Sequence, residues 1–170
     1  IIELRAEFIN ALNPVYNEKH RQISGNREDV ELIYEMNIDK EHYYDKLKSH
    51  IEGDIRRKTT TVGPHRDDLM FMMNGIDLRR FGSQGQQRTA ALSLKLSEIA
   101  LVKEMIDDTP ILLLDDVLSE LDHNRQQHLT QHLEDIQTFI TCTGVEDFVT
   151  SSMNKYQLYE VKDACVTKMT

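Results

Sequence analysis

The sequence predicts an α/β lobe preceded by a helical arm, and three observations carry that expectation. From Thr59 onward, short apolar or β-branched runs alternate with long helical patterns, the order expected of strands and crossover helices. The run Ile111-Leu-Leu-Leu114 is wholly apolar and too short for a helix, which suits a central parallel strand buried on both faces. Residues 1–58 instead read as helices with polar faces, and they hold 10 basic against 12 acidic residues (net −2), whereas residues 59–170 hold 10 against 17 (net −7). The expected organisation is a helical arm at 1–58 and the α/β lobe at 59–170.

Helix is expected from Glu3 to about Leu12. It breaks at Asn13-Pro14, because proline disfavours the helical conformation of the residue before it. It resumes from Val15 to about Ile23 and stops at the turn Ser24-Gly25-Asn26. Val30 to Glu35 alternates like a strand, and Asp39 suits the N-cap of a helix running to about Ile55. Thr59-Thr-Thr-Val62 is β-branched and cut off by Gly63-Pro64. Asp68 to Met73 reads as a strand that turns back through the hairpin dipeptide Asn74-Gly75. Ser83 then caps a long helix that turns Ala91, Leu92, Leu94, Ile99, Leu101, Val102, Met105 and Ile106 inward and leaves Lys95, Glu98 and Lys103 to water. Beyond Pro110 come the Ile111–Leu114 strand, a helix from Asp122 to about Ile136, a second buried strand at Thr138–Thr141 and a third at Gln157–Val161.

Composition narrows the function. With 39% apolar and 29% charged residues the chain can bury a core and does not resemble a disordered segment. The net charge of −9 argues against a basic sheath around nucleic acid, so any DNA contact is expected to be local. Two cysteines, Cys142 and Cys165, form neither a disulfide framework nor a CxxC site, which points to a reducing compartment such as the cytoplasm. No apolar run approaches the roughly 20 residues of a membrane span, and no signal peptide opens the chain. The chain starts at Ile1 inside a helical pattern and is expected to be a piece of a longer protein.

Two motifs carry chemistry. In Ile111-Leu-Leu-Leu-Asp-Asp-Val-Leu-Ser-Glu-Leu-Asp122, a buried strand ends in two carboxylates at the carboxyl edge of the sheet, where open α/β proteins bind ligands. Asp115 can hold hydrated Mg²⁺ beside a triphosphate, and Asp116 can orient or deprotonate an attacking water. The plainer reading of the same residues is a strand followed by acidic caps of the next helix. In Phe81-Gly-Ser-Gln-Gly-Gln-Gln-Arg-Thr89, Ser83 and the N–H groups around Gly85 would sit at a helix N-terminus, where unpaired donors favour an anion such as a γ-phosphate. Its plainer reading is a cap.

In that order, with Thr61-Val-Gly-Pro-His-Arg-Asp-Asp-Leu69 ahead of them, the motifs resemble the C-terminal half of an SMC-like ABC-type ATPase head, most closely the RecF family of DNA-repair proteins. The resemblance covers residues 59–148 well and residues 1–58 weakly. It implies a P-loop (ABC-type) lobe with Ser83, Gln84, Gly85 and Gln86 in the signature motif, Asp115 in Walker B, Asp116 at the catalytic carboxylate, and Ser119 to Asp122 in the D-loop. It further implies ATP and Mg²⁺ as cofactors, an ATP-dependent homodimer, gapped DNA with its single-strand/double-strand junction as target, and RecR and RecO as partners at damaged or stalled replication sites. Two positions depart from the pattern. Most ABC ATPases have Glu where this chain has Asp116, so hydrolysis is expected to be slow. The switch histidine is replaced by Thr141 or Thr143, of which Thr143 is the candidate catalytic residue. No GxxxxGK[ST] loop is present, so the phosphate cradle is expected in an N-terminal part and this chain alone should not hold ATP tightly.

Two rival readings remain at this level. One is a metal-dependent nuclease that clusters Asp115, Asp116 and Glu120 with Asp67 and Asp68. The other is a non-catalytic interaction module. Arg56-Arg57-Lys58 reads as a solvated helix end or a DNA contact, and His65-Arg66 as a nucleotide, arm or DNA contact or as a turn in which Asp67 pairs with Arg66. His128 and His132 share a helix face without a third ligand.

Overall fold

A computed structural model describes residues 1–106, 108–133, 136–143 and 156–169, in two compact units, 1–110 and 111–170. No helix among the described residues is long and apolar enough to cross a membrane.

The first unit opens with α1 (Ile2–Ser24), which continues through Pro14 as one helix instead of breaking there. The neighbouring side chain explains why. The Asn13 amide donates to Leu32 O (2.8 Å) and accepts from Leu32 N (2.7 Å), clamping the helix to β1 (Val30–Glu35), while Leu12 and Tyr16 on either side are buried. Tertiary packing offsets the proline. The helix ends where expected, with Gly25 in the left-handed region (φ 69°) and Asn26 N donating to Arg21 O.

β1 pairs antiparallel with β2 (Asp68–Met73), from Val30 opposite Met73 to Glu35 opposite Asp68, and β2 turns through Asn74-Gly75, both at positive φ, into β3 (Ile76–Asp77). The hairpin is as the dipeptide predicts. α2 (Tyr43–Arg57) buries no residue and has its N-cap at His42, three positions past the expected Asp39, because Asp39 caps the preceding turn by accepting from His42 N. Thr59–Val62 forms no strand. The Asp54 carboxylate takes both the N–H and the hydroxyl of Thr61, which offers that backbone a local alternative to a sheet and holds the Asp54 carboxyl below its usual range.

A short helix, α3 (Leu78–Phe81), precedes α4 (Gln84–Ile106). α4 packs along α1 and buries Thr89, Ala90, Leu92, Ser93, Leu96 and Ser97; Leu92 is inward as expected, whereas Val102, Met105 and Ile106, expected inward, are exposed. The three hydroxyls on that face bond back to carbonyls one turn earlier, Thr89 to Gly85, Ser93 to Thr89 and Ser97 to Ser93, so small polar side chains can be buried satisfied. Ile9, Leu12, Tyr16, Val30, Leu32, Met73, Leu78 and Ala90 make one core. That core draws on residues on both sides of the boundary expected at 58/59. The division at Pro110 follows from it, because β1 is hydrogen-bonded to β2 and α1 lies on α4.

Within this core the Tyr16 ring meets Phe71 edge-on, and its hydroxyl is buried with no hydrogen-bond partner among the described residues. Burial pushes the phenol pKa up. Tyr16→Phe removes the unsatisfied group and keeps the ring, so it is expected to raise stability by about 1 kcal/mol in a denaturant titration.

In the second unit, β4 (Leu112–Asp115) pairs in parallel with β5 (Thr138–Thr141), Leu113 opposite Phe139 and Asp115 opposite Thr141. Leu112 and Leu114 are buried, as are Leu118, Leu121, Leu129 and Leu133. The other face is not covered by the described residues. Leu113 is 72% and Phe139 56% exposed, so burial on both faces, as expected from sequence, is not what the structure has. α5 (His123–Gln131) stops short of Ile136, its end tightened by bonds from His132 N to Leu129 O and from Leu133 N to Thr130 O. The third strand, β6 (Tyr159–Lys162), pairs with β7 (Cys165–Lys168) in a separate exposed hairpin.

Candidate functional site

The first cluster is built where α3 meets α4. Asp77 caps α3 by accepting from Arg79 N, and the chain then turns at Gly82, whose N–H donates to Leu78 O. A Cβ at Gly82 would lie 2.6 Å from Leu78 O and 2.7 Å from Leu78 Cδ2. The glycine is required by close approach, not by φ, which is −72°. Gly82→Ala is expected to cost about 1–3 kcal/mol, the usual range for overpacking, read as a lowered melting temperature.

Ser83 and Gln86 then form a reciprocal capping box. Ser83 Oγ accepts from Gln86 N (3.3 Å), and Gln86 Oε1 accepts from Ser83 N (3.0 Å). Ser83 is exposed, and its hydroxyl hydrogen is not needed for the cap. Gln84 is exposed, and Gly85 is half-buried inside the first turn, its carbonyl accepting from Thr89. The Gln87 amide fastens the turn by donating to Leu78 O and Gly82 O. Ser83 as the cap of this helix was legible in the sequence. The steric demand at Gly82 was not, because it depends on where α3 folds back.

The second cluster lies at the ends of β4 and β5. Asp115 is exposed and accepts from the Thr141 hydroxyl. Asp116 has φ 52°, a left-handed conformation that Asp tolerates better than most residues, and its N–H donates to both Thr141 O (3.1 Å) and Thr141 Oγ1 (3.0 Å). Thr141 is therefore the threonine that meets the carboxylate pair. Thr143, the candidate from sequence, lies two residues beyond the end of β5. The Ser119 hydroxyl donates to Asp116 O (2.8 Å), and Asp122 caps α5 by accepting from Arg125 N (3.1 Å). Ser119 thus braces the turn that carries Asp116.

Within the first unit, the acidic residues of the nuclease reading are already engaged by other partners. Asp67 is held by Arg5, by the Tyr34 hydroxyl and by Asn37 N–H. Asp68 accepts two bonds of 2.7 Å from Arg79, which hold its carboxyl down to about 2. No group of three metal-binding side chains forms among the described residues. Nor does Arg66 pair with Asp67, because its guanidinium donates to Thr60 O and Thr59 Oγ1, and His65 bonds Thr60 O.

The donor chemistry fits a magnesium nucleotide in part. Asp115 offers a hard oxygen ligand, and Ser83 with the first N–H groups of α4 offers donors to an anion. What is missing among these residues is a lysine-bearing phosphate loop.

No protein-family model matches the chain. It is 53% identical over 161 residues to "DNA replication and repair protein RecF" of Agathobacter rectalis, which covers 95% of this chain and 44% of that protein, and 49% identical over 168 residues to the protein of the same description from Lachnoclostridium phytofermentans, 99% of this chain and 47% of that one. The chain spans about half the length of the relatives it matches. Among solved structures, one described as the recombination mediator protein RecF-ATP in the RecFOR pathway superposes over all of this chain with a TM-score of 0.78 and 36% identity, on 46% of its own chain. An SMC head bound to the C-winged helix domain of ScpA, at 12% identity and TM-score 0.60, shares the fold. With this identity to RecF proteins and the fold of an SMC-like ABC-type ATPase head, the chain belongs to the RecF family, as the C-terminal part of such a protein.

Proposed function

We propose that this chain is the part of a RecF-type DNA-binding ATPase that completes a composite nucleotide site and reports its state to DNA. The observation that carries the reading is the identity of about half of all residues with RecF proteins. It is supported by placement of the two motifs, Ser83–Gln86 at the start of α4 and Asp115-Asp116 at the end of β4. Mg²⁺-ATP, when bound, supplies the triphosphate and a charge-neutralising cation.

The residues divide the work. The Asp115 carboxylate, steadied by the Thr141 hydroxyl, would hold the cation. Asp116 would orient water, and its short side chain makes hydrolysis slow. Ser83, with the N–H groups opening α4, would donate to the terminal phosphate of a nucleotide carried by a second subunit, so that ATP joins two copies and hydrolysis parts them. Gln84 and Gly85 line that approach, and Ser119 and Asp122 shape the turn facing the second copy. The function served is repair of gapped DNA and stalled forks, at single-strand/double-strand junctions in the cytoplasm, with RecR and RecO as partners. A chain with net charge −9 makes that DNA contact locally.

A direct test uses the 170-residue chain. It is expected to show no ATP hydrolysis above background, because Asp115 and Ser83 cannot grip the β- and γ-phosphates without the cradle. Steady turnover that disappears with Asp115→Ala in this chain would overturn the composite-site reading.

A further inference from the structure

The capping box at Ser83 is tied to a buried network that no motif covers. The Gln86 amide uses both ends. Its oxygen accepts from Ser83 N, and its nitrogen donates to Glu28 Oε1 (3.1 Å). The assignment is fixed by the partners, since a backbone N–H needs an acceptor and a carboxylate needs a donor. The other oxygen of Glu28 lies 3.2 Å from His20 Nε2, and His20 Nδ1 lies 3.1 Å from Ser93 Oγ. Ser93 also donates to Thr89 O (2.7 Å). His20 is fully buried, and the Glu28 side chain is mostly so.

A line of hydrogen bonds thus runs from the interior of the α1–α4 packing, through His20 and Glu28, to Gln86 and Ser83. Glu28 sits in the turn between α1 and β1, and it reaches a residue 58 positions away in sequence. An exposed helix cap alone would let Ser83 and Gln86 fray. Anchoring Gln86 to a carboxylate that is itself held by a buried imidazole removes that freedom.

We propose that Glu28 is a positioning residue for the Ser83 loop: by holding the Gln86 amide, with His20 behind it, it keeps the Ser83 hydroxyl and the first N–H groups of α4 in the orientation that meets the nucleotide of a second subunit. This rests on the composite-site reading above. Glu28 touches no reacting group and acts through Gln86.

The test separates the cap from its anchor. In the full-length protein, Gln86→Glu keeps a good capping residue at that position but sets a carboxylate against Glu28. ATP-dependent dimerisation, followed by light scattering, is expected to weaken about tenfold, the scale of one lost charge-assisted bond, with the melting temperature nearly unchanged. Glu28→Gln in the same protein restores a donor–acceptor pair with the roles exchanged, and the double variant should return to within about threefold of the original. A structural role alone would not predict rescue by the swap. Gln86→Glu dimerising normally, or the double variant being no better than the single one, overturns the proposal. Should Gln86→Glu unfold, Glu28→Ala is read instead: it removes the acceptor of the Gln86 amide, so about a tenfold loss of dimerisation is expected, with Glu28→Gln, whose carbonyl still accepts, near normal, and ordinary dimerisation by Glu28→Ala overturns the proposal. Ser83→Arg run alongside distinguishes the two levels. If it also dimerises normally, the composite site fails; if it blocks dimerisation while Gln86→Glu does not, only the role of Glu28 fails.

Discussion

Ser83→Arg, in a full-length protein carrying this segment, is expected to abolish ATP-dependent dimerisation while leaving each subunit's own ATP binding nearly normal. Ser83 is exposed at the start of α4, and its hydroxyl accepts from Gln86 N, so the replacement removes one side-chain cap and places a long cation where a second subunit's nucleotide would close. The fold should survive, because losing such a cap costs about 1 kcal/mol and the Gln86 amide still accepts from the backbone N–H of residue 83. Hydrolysis should fall with the dimer. Mixing this variant with a phosphate-loop variant leaves one of two composite sites whole, and partial hydrolysis should return. Light scattering that shows ordinary ATP-driven dimers with Arg at this position would reduce Ser83 to a structural cap.

Asp116→Asn is expected to act on a different step. The backbone at 116 has φ 52°, which Asn accepts as readily as Asp, and the bonds from its N–H to Thr141 and from Ser119 to its carbonyl do not involve the side chain. The local turn therefore stays. ATP binding should persist, since Asp115 is untouched, but the carboxylate that orients water is gone, and hydrolysis should fall by about 10²-fold or more, the scale of general-base catalysis. The ATP-bound dimer should outlive that of the original protein. Equal loss of nucleotide binding in the Asp115→Ala and Asp116→Asn proteins would show that their roles are wrongly divided.

The parts of the fold legible in the sequence were those set by short-range chemistry. Asn74-Gly75 specified the hairpin between β2 and β3, Gly25 the end of α1, and Ser83 the start of α4. The misses share a cause, which is tertiary contact overriding a local signal. Pro14 should interrupt a helix at a cost of about 3 kcal/mol, yet Asn13 clasps β1 on one side and Tyr16 is buried on the other. Thr59–Val62 has strand propensity, yet Asp54 captures it. The boundary placed at 58/59 followed a change in pattern, whereas the structure groups residues by which strand pairs with which. At the candidate site, the two carboxylates and Ser83 could be read from motif spacing. The choice between Thr141 and Thr143 could not, since it depends on the register that sets Asp115 beside Thr141. Glu28 and His20 left no motif, because their relation to Gln86 exists only once α1 lies along α4.

The outward face of β4 and β5 bears on how a polypeptide of this sequence behaves in a tube. Leu113 and Phe139 stand side by side on it, two residue pairs below Asp115 and Thr141, and both are more than half exposed. Neighbouring strands with hydrocarbon outward and charge only at the rim are adhesive: collisions between molecules desolvate the leucine and the phenylalanine before the carboxylate can repel. On this face Leu113 and Phe139 thus oppose the dispersal that the chain's net charge of −9 favours.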